Sequence, residues 1–222
     1  NSYNWYNESL KNEEISNAQF EISYKKLLKI TADYYTLDNY TFFKENANSL
    51  NGEIDRYRFA SPFQAPGNIK YYKIKLENHN KIGKFALINT VQYQKKEQNI
   101  ELDELETLNV PEWLTRNTLL YSTDLLNKAL FLQTGITFNY FTKFFADYYN
   151  PLLSELVTQN YKQIGDYPRL DFFINAKIQQ TRIFVKVEHL NSSSTGYDFY
   201  SDPFNPYRDL SVRFGVVWNF FQ

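Results

Sequence analysis

The last thirteen residues of the chain, from Leu210 onward, constrain its fold more than any other segment. Side chains of a β-strand alternate between its two faces. Every second residue from Leu210 to Phe220 is apolar, whereas the other row includes Ser211 and Arg213. A two-faced strand that ends on aromatic residues is typical of a transmembrane β-barrel. The segment therefore predicts that a lipid bilayer is the solvent for one face of this protein.

Composition agrees with this prediction and excludes other classes. The 222 residues carry 24 Lys and Arg against 25 Asp and Glu, so there is no basic surplus for binding nucleic acid. No run approaches the roughly 20 apolar residues of a membrane-spanning helix, but half of each barrel strand faces a lumen and can be polar. Nineteen Tyr and nineteen Phe suit the aromatic belts of membrane barrels. The absence of Cys excludes disulfides and thiol chemistry.

Alternating runs recur along the chain and predict nine strands, the second of which extends from Ile30 to Phe43. Short connections alternate with long ones, as in outer-membrane barrels. The predicted fold class is therefore all-β, a transmembrane antiparallel up-and-down β-barrel. Bacterial barrels have even strand numbers, and an open sheet leaves backbone groups unpaired in lipid. Residues 1–222 are thus predicted to be one β-barrel region, the carboxy-terminal part of a larger barrel, and residues 1–16 an extracellular loop.

Several longer segments, in order along the chain, carry a family resemblance. They are Pro62–Lys70, Asn109–Thr118, Leu132–Thr137, Tyr148–Leu153, Tyr167–Ile178, Thr181–Asn191 and Pro206–Phe221. Through these segments the whole chain resembles the carboxy-terminal part of the putative porins of Bacteroidota. The resemblance implies a Gram-negative outer-membrane location, a pore and further amino-terminal strands. The chain departs from the usual ending of such proteins, because Gln222 follows the final aromatic residue.

Charged side chains in the polar rows of the predicted strands are the first candidates for function. The residues predicted to face the lumen are Lys73, Lys75, Glu77, Asp171, Lys177, Arg182, Lys186, Glu188 and Arg213. Such a row can line a water-filled pathway that sets ion and solute preference. The same charges also fit a lumen plugged by its own salt bridges. The excess of Lys and Arg near the last three strands favours a mild anion preference.

The apolar rows predict the opposite face. Side chains there are expected to contact lipid or to anchor the barrel at the water–lipid interface; the alternative is the core of a soluble β-sandwich. The residues predicted to lie on this face are Trp113, Tyr140, Ile183, Val185, Phe214, Val216, Trp218 and Phe220.

Other chemistry receives little support from the sequence. The carboxylates Glu101, Asp103, Glu104 and Glu106 could bind Ca²⁺, but their spacing matches no EF-hand loop, and a solvated acidic loop is the simpler interpretation. A second group, Asp198, Asp202 and Asp209, is likewise interpreted as loop capping. His79 and His189 fall at opposite ends of the predicted strands, so they cannot share a metal ion. We therefore predict no enzymatic activity, no cofactor and no metal site.

Together these patterns predict an outer-membrane, porin-like channel for passive diffusion of ions or small solutes. The alternative is a non-conducting barrel that serves as an accessory or structural subunit of a larger outer-membrane complex. Expected partners are outer-membrane lipid and lipopolysaccharide, the barrel assembly machinery through the C-terminal strand, and other outer-membrane proteins, but no nucleic acid. The C-terminus is expected in the periplasm and the long loops outside the cell.

Overall fold

The computed structural model describes residues 8–45, 60–98, 107–194 and 199–219. Apart from a short 3₁₀ turn at Ser192–Ser194, the regular structure in these ranges is β-strand. The strands in chain order are β1 (Glu14–Tyr24), β2 (Leu28–Asp38), β3 (Thr41–Glu45), β4 (Ala60–Gln64), β5 (Ile69–Ile82), β6 (Phe85–Gln98), β7 (Trp113–Leu125), β8 (Leu130–Phe141), β9 (Phe144–Phe145), β10 (Tyr148–Asn150), β11 (Glu155–Thr158), β12 (Gln163–Ile164), β13 (Arg169–Ile178), β14 (Thr181–Glu188) and β15 (Ser211–Trp218).

Nine of these strands form one large sheet in the order β1-β2-β5-β6-β7-β8-β13-β14-β15. Every neighbouring pair in it is antiparallel. The predicted all-β fold with nine antiparallel strands is thus confirmed. The sheet does not close on itself: within the described residues, β1 pairs only with β2, and β15 pairs only with β14.

Most strands of the large sheet have the length that a bilayer requires. Seven of the nine are 10 to 14 residues long, and β14 and β15 have 8 residues each. A tilted transmembrane strand needs about 9–11 residues. Short turns at residues 25–27, 83–84, 126–129 and 179–180 join them at one end, here called the short-turn end. Gly83 adopts a φ of 60°, a left-handed conformation that its missing Cβ makes easy.

Two boundaries differ from the sequence-based expectation. The first strand begins at Glu14, inside the range predicted as a loop, and residues 1–7 of that range lie outside the described residues. The second strand ends at Asp38 instead of continuing to Phe43. Asn39 adopts a φ of 55°, which breaks the extended conformation, so Thr41–Glu45 leaves the large sheet and pairs elsewhere.

The long connections form a layer of their own at the other end of the sheet. Residues 39–45, 60–68, 142–168, 189–194 and 199–210 contribute to it, and we call this region the loop layer. It contains a four-stranded sheet in the order β10-β11-β3-β4, in which β11 and β3 are parallel, and a small pair of β9 with β12. Among the described residues, the most deeply buried apolar side chains are those of Tyr148, Val157 and Ile69, and they lie in the loop layer or at its junction with the large sheet.

Two phenylalanine rings cover glycines on neighbouring strands of the large sheet. Gly135 in β8 lies opposite Phe173 in β13, and Gly215 in β15 lies opposite Phe184 in β14. An aromatic ring folded over a cross-strand glycine is a known device for bending and pinning β-sheets. Both pairs lie on the same face, so they fix the register of the last strands where the sheet curves.

Replacement of Gly135 by alanine should destabilise the sheet more than the same change at Gly215. A Cβ at residue 135 would lie 2.5 Å from the backbone oxygen of Leu119, whereas at residue 215 its nearest contacts are ring atoms of Phe184, at 2.6 Å. A backbone atom in a ladder cannot move as a side chain can, and overpacking of this kind costs about 1–3 kcal/mol. Urea unfolding of both variants in lipid vesicles measures the difference. Equal losses would contradict the importance of the Leu119 backbone.

Candidate functional site

The pairing register brings the predicted lumen-facing charges onto one face of the large sheet. Lys73 in β5 is the direct partner of Asp33, and Lys177 in β13 is the partner of Arg182 in β14. Lys186 is in turn the partner of Arg213 in β15. Because alternation along each strand preserves the face, all nine predicted residues share it. We call this the polar face.

Ion pairs join these charges across the strands. At one side of the sheet, the Lys73 Nζ lies 2.9 Å from Asp33 Oδ2, and Gln19 Nε2 donates to Asp33 Oδ1 at 2.7 Å. Lys75 pairs with Glu77 at 2.9 Å. Near β13 to β15, a second group continues across three strands. Its contacts are Lys186–Asp171 at 3.7 Å, Lys186–Glu188 at 2.7 Å and Arg213–Glu188 at 3.0 Å.

Two cations of the polar face lie close to the short-turn end. Lys177 and Arg182 are both exposed and sit directly opposite each other. In the described ranges neither forms an ion pair with a carboxylate. Like charges placed opposite each other repel, so this pair gives the short-turn end of the polar face a local positive potential.

The polar face is also the concave side of the sheet. A cavity of about 610 Å³ lies against it and is bounded by Ile88 and Thr90 on β6 and by Phe184 and Lys186 on β14. Strands that are four places apart in the sheet therefore face one another across this space. The sheet curves toward its charged side, the sense of curvature that a barrel with a polar interior needs.

The predicted lipid-facing residues share the opposite face and are largely exposed. Exposed fractions are 41% for Ile183, 81% for Phe214, 65% for Val216 and 60% for Trp218. Trp113 is also exposed, Val185 and Tyr140 are half-buried, and Phe220 lies outside the described residues. No second sheet or helix of the described chain covers this row. A soluble domain would bury it, and an apolar surface this large marks contact with a membrane or another protein.

Aromatic rings mark both edges of the apolar face. Tyr93 and Trp113 are cross-strand neighbours at the loop-layer end, with ring centroids 4.8 Å apart. Phe85 and Tyr121 form the corresponding pair at the short-turn end, at 5.1 Å. Trp113 and Tyr121 are eight residues apart on β7, which is about 26 Å along a strand and roughly 20 Å after a barrel's tilt. The apolar band of membrane barrels, about 25 Å tall, has similar dimensions.

His189 and Asp171 attach the last long connection to the large sheet. His189 is fully buried, its backbone N–H donates to Asp171 Oδ1 at 3.0 Å, and its Nδ1 donates to the Arg208 carbonyl at 2.8 Å. Its ring lies nearly perpendicular to that of Phe199, with centroids 4.6 Å apart. Sequence reasoning placed His189 near a strand end but missed this anchoring role. The φ of 56° at His189 turns the chain out of β14, and histidine is one of the residue types enriched in this left-handed conformation.

Asp147 should titrate abnormally in the loop layer. Burial raises the pKa of its carboxyl, which the 2.8 Å hydrogen bond from Asn109 Nδ2 only partly offsets. Because its folded-state pKa is raised, the carboxyl contributes stability at pH values below the ordinary aspartate pKa. That contribution is lost as the pH rises through the raised folded-state pKa. Asp147→Asn should therefore make the loop layer more resistant to proteolysis at pH 7, and the gain should vanish near pH 3.5.

Asp166 is the matched control for this prediction. The hydrogen bond from Tyr140 Oη at 2.8 Å, helped by Lys143, lowers the pKa of its carboxyl. Its contribution has the opposite sign, being present above the ordinary value and lost in acid. Asp166→Asn should slightly weaken the loop layer at pH 7, and protection of both variants at that pH would contradict the assignment.

The described ranges contain no cluster of three or more His, Cys, Asp or Glu side chains that could hold a metal ion. They also contain no helix long and apolar enough to cross a membrane. The acidic segment with Glu101, Asp103, Glu104 and Glu106 lies outside the described residues, as does Asp198.

Comparisons with known proteins agree with this geometry. A family model described as putative porin matches residues 1–222, the whole chain. No curated protein matches the sequence. Among solved structures, the FrpB iron transporter from Neisseria meningitidis (F3-3 variant) is similar, with a TM-score of 0.59 and 15% sequence identity. The match covers 96% of this chain but 32% of the transporter, so the chain spans about a third of that protein's length. At this identity the likeness concerns the fold alone.

Proposed function

Because the chain belongs to the putative porin family, we propose that it forms part of the wall of an outer-membrane channel for passive diffusion of ions or small solutes. The observation that carries the proposal is the division of one sheet into two unlike faces. One face is concave and charged, and the other is apolar and uncovered. Further strands in the gap between β1 and β15 would close the barrel. They would also pair with the free backbone N–H and C=O groups of these two edge strands, to which lipid cannot hydrogen-bond.

In this proposal the polar face lines the lumen, and the residues predicted from the sequence act there by their charge. A diffusion channel catalyses no reaction; it selects by size and by the field of its wall. Lys177, Arg182 and Arg116, which form no ion pair in the described ranges, give a mild preference for anions, because most of the predicted lumen charges are neutralised by ion pairs.

The orientation proposed is that of outer-membrane barrels, with the short turns and C-terminus in the periplasm and the loop layer outside the cell. Outer-membrane lipid and lipopolysaccharide would then contact the apolar face, and the barrel assembly machinery would engage the C-terminal strand. The loop layer is the surface available to other outer-membrane proteins. A Bacteroidota source is an expectation from the motifs in the sequence.

Reconstitution of the full-length protein into planar bilayers tests the channel directly. Stable conductance steps that appear with the folded protein and not with detergent alone are the expected result. If well-folded protein gives no conductance steps, the proposed diffusion channel is wrong. That result would favour the alternative, a non-conducting accessory subunit whose ion-paired polar face forms a closed interior.

Charge reversal at Lys177 and Arg182 tests which side chains set the preference. We expect the double variant Lys177→Glu, Arg182→Glu to shift the reversal potential in a salt gradient toward cations, because two wall charges change sign. The matched control is Lys25→Glu with Lys26→Glu, the same change of net charge in the turn between β1 and β2. An equal shift in the control would show that the effect is general surface charge.

A further inference from the structure

A second, smaller cavity lies where the polar face meets the loop layer. Its volume is about 420 Å³, within the range of small-molecule sites. Three neighbouring strands supply its floor: Arg116 on β7 lies opposite Asn139 on β8, and Asn139 lies opposite Arg169 on β13. With strands about 4.8 Å apart, the two arginines are separated by roughly 10 Å at the backbone.

The floor presents hydrogen-bond donors without matching acceptors. Within the described ranges, Asn139 Nδ2 and Arg169 Nε are buried and donate to no acceptor. Asp171 lies 3.6 Å from Arg169 Nε, close enough for an ion pair but beyond a hydrogen bond. Arg116 is exposed and forms no ion pair in the same ranges. Buried donors in proteins are normally satisfied, so this row calls for an acceptor-rich, negatively charged partner.

Aromatic side chains from the loop layer form the wall. The side-chain hydroxyl of Tyr167 donates to the Tyr200 carbonyl at 3.2 Å, and its ring packs against Phe199 with centroids 4.1 Å apart. The ring of Tyr207 lies 4.8 Å from the Arg169 guanidinium carbon. These contacts hold the wall and Arg169 in place before any ligand arrives, which reduces the entropy cost of binding.

We propose that this cavity, here called the anion pocket, binds a small organic anion with a ring-shaped body. The carboxylate, sulfate or phosphate would lie on Arg116, Asn139 and Arg169, since guanidinium groups bind such anions with paired hydrogen bonds. The ring would pack against the tyrosines, as ring bodies do in apolar pockets with few polar groups. This inference rests on the proposed function and adds to it the class of solute that the channel would take. Binding in the pocket does not itself require the barrel to conduct.

Calorimetric titration of the full-length protein in detergent tests the pocket. The probes are benzoate, D-glucuronate and neutral D-glucose. Binding of at least one of the two acids, with no binding of glucose, is the expected result; benzoate alone identifies an aromatic acid and glucuronate alone a sugar acid. Failure of both acids to bind folded protein, or binding of glucose as tightly as the acids, would overturn the proposal.

Two variants locate the binding. Arg116→Gln should weaken affinity about tenfold or more, the effect of one charge-assisted hydrogen bond. Asn139→Asp should abolish it, and this variant should fold, because the new carboxylate lies between two arginines. The matched control is Lys81→Gln, an exposed cation of β5 on the same face outside the pocket. Equal weakening by Arg116→Gln and Lys81→Gln would contradict a localised site. Because binding is measured without a membrane, its outcome is separate from that of the conductance experiment.

Discussion

Arginine in place of Ile174 should strongly destabilise the protein in lipid vesicles. Ile174 lies near the middle of β13 on the apolar face and is 36% exposed. An arginine facing lipid at the bilayer midplane costs a barrel about 2–4 kcal/mol. Urea titration of tryptophan fluorescence in vesicles measures this loss, and migration of unheated samples on gels reports the folded fraction.

The adjacent residue supplies the control. Asn175 follows Ile174 on the same strand but points to the polar face, opposite Gln133 and Phe184. Asn175→Arg adds the same charge and nearly the same bulk to a surface that we assign to water, so its loss should be within about 0.5 kcal/mol, as for other surface substitutions. If both variants lose stability equally, the assignment of the two faces is wrong.

Removal of the Asp171 carboxylate should release the last long connection from the sheet. Its side chain is 6% exposed, accepts the backbone N–H of the buried His189 and lies between Arg169 and Lys186. Asp171→Ala leaves that N–H without an acceptor and both cations without this partner. We expect the free energy of unfolding to fall by about 3 kcal/mol. This is less than the largest cost of breaking a buried ion pair, because Lys186 keeps its ion pair with Glu188.

Two further variants separate the causes of this loss. Asp171→Asn keeps an acceptor for the His189 N–H but not the charge. Its loss of stability should therefore be about half of that caused by Asp171→Ala. Asp124→Ala removes an exposed carboxylate at the short-turn end of β7 and should be nearly silent. Limited proteolysis between residues 189 and 210 is the second measurement. Faster cleavage in Asp171→Ala than in Asp124→Ala is expected, and equal rates would show that Asp171 does not hold this connection.

Alternation along single strands was sufficient to predict the large sheet. The nine runs, their short turns and the common face of Lys73, Asp171 and Arg213 follow from a period of two, which each strand carries in its own residues. β7 is the exception, because Leu and polar residues mix on both of its faces, and only its pairing with β6 and β8 assigns those faces. Lipid favours such repetition, and most positions of the apolar face are apolar. Asn89 on β6 and Asn117 on β7, which are cross-strand partners, are exceptions on that face.

The loop layer could not be predicted in the same way. Its strands have two to five residues, too few for a period to be visible, and β11 pairs in parallel with β3 from a connection more than 100 residues earlier. Such pairs depend on contacts between distant segments and not on local pattern. The anion pocket could not be predicted either, because Arg116, Asn139 and Arg169 become neighbours only through the pairing register of β7, β8 and β13.

The assignment of one face to lipid and the other to water is tested most directly by labelling the two faces one residue at a time. The chain has no native cysteine, so single cysteines can be placed at residues 172 to 177 of β13 in vesicle-reconstituted protein. We expect residues 173, 175 and 177 to react with a membrane-impermeant maleimide. Residues 172, 174 and 176 should resist it and, when labelled before reconstitution with a fluorophore, be quenched by brominated acyl chains. Equal reactivity of both rows, or no quenching at residue 174, would contradict a lipid-facing apolar face.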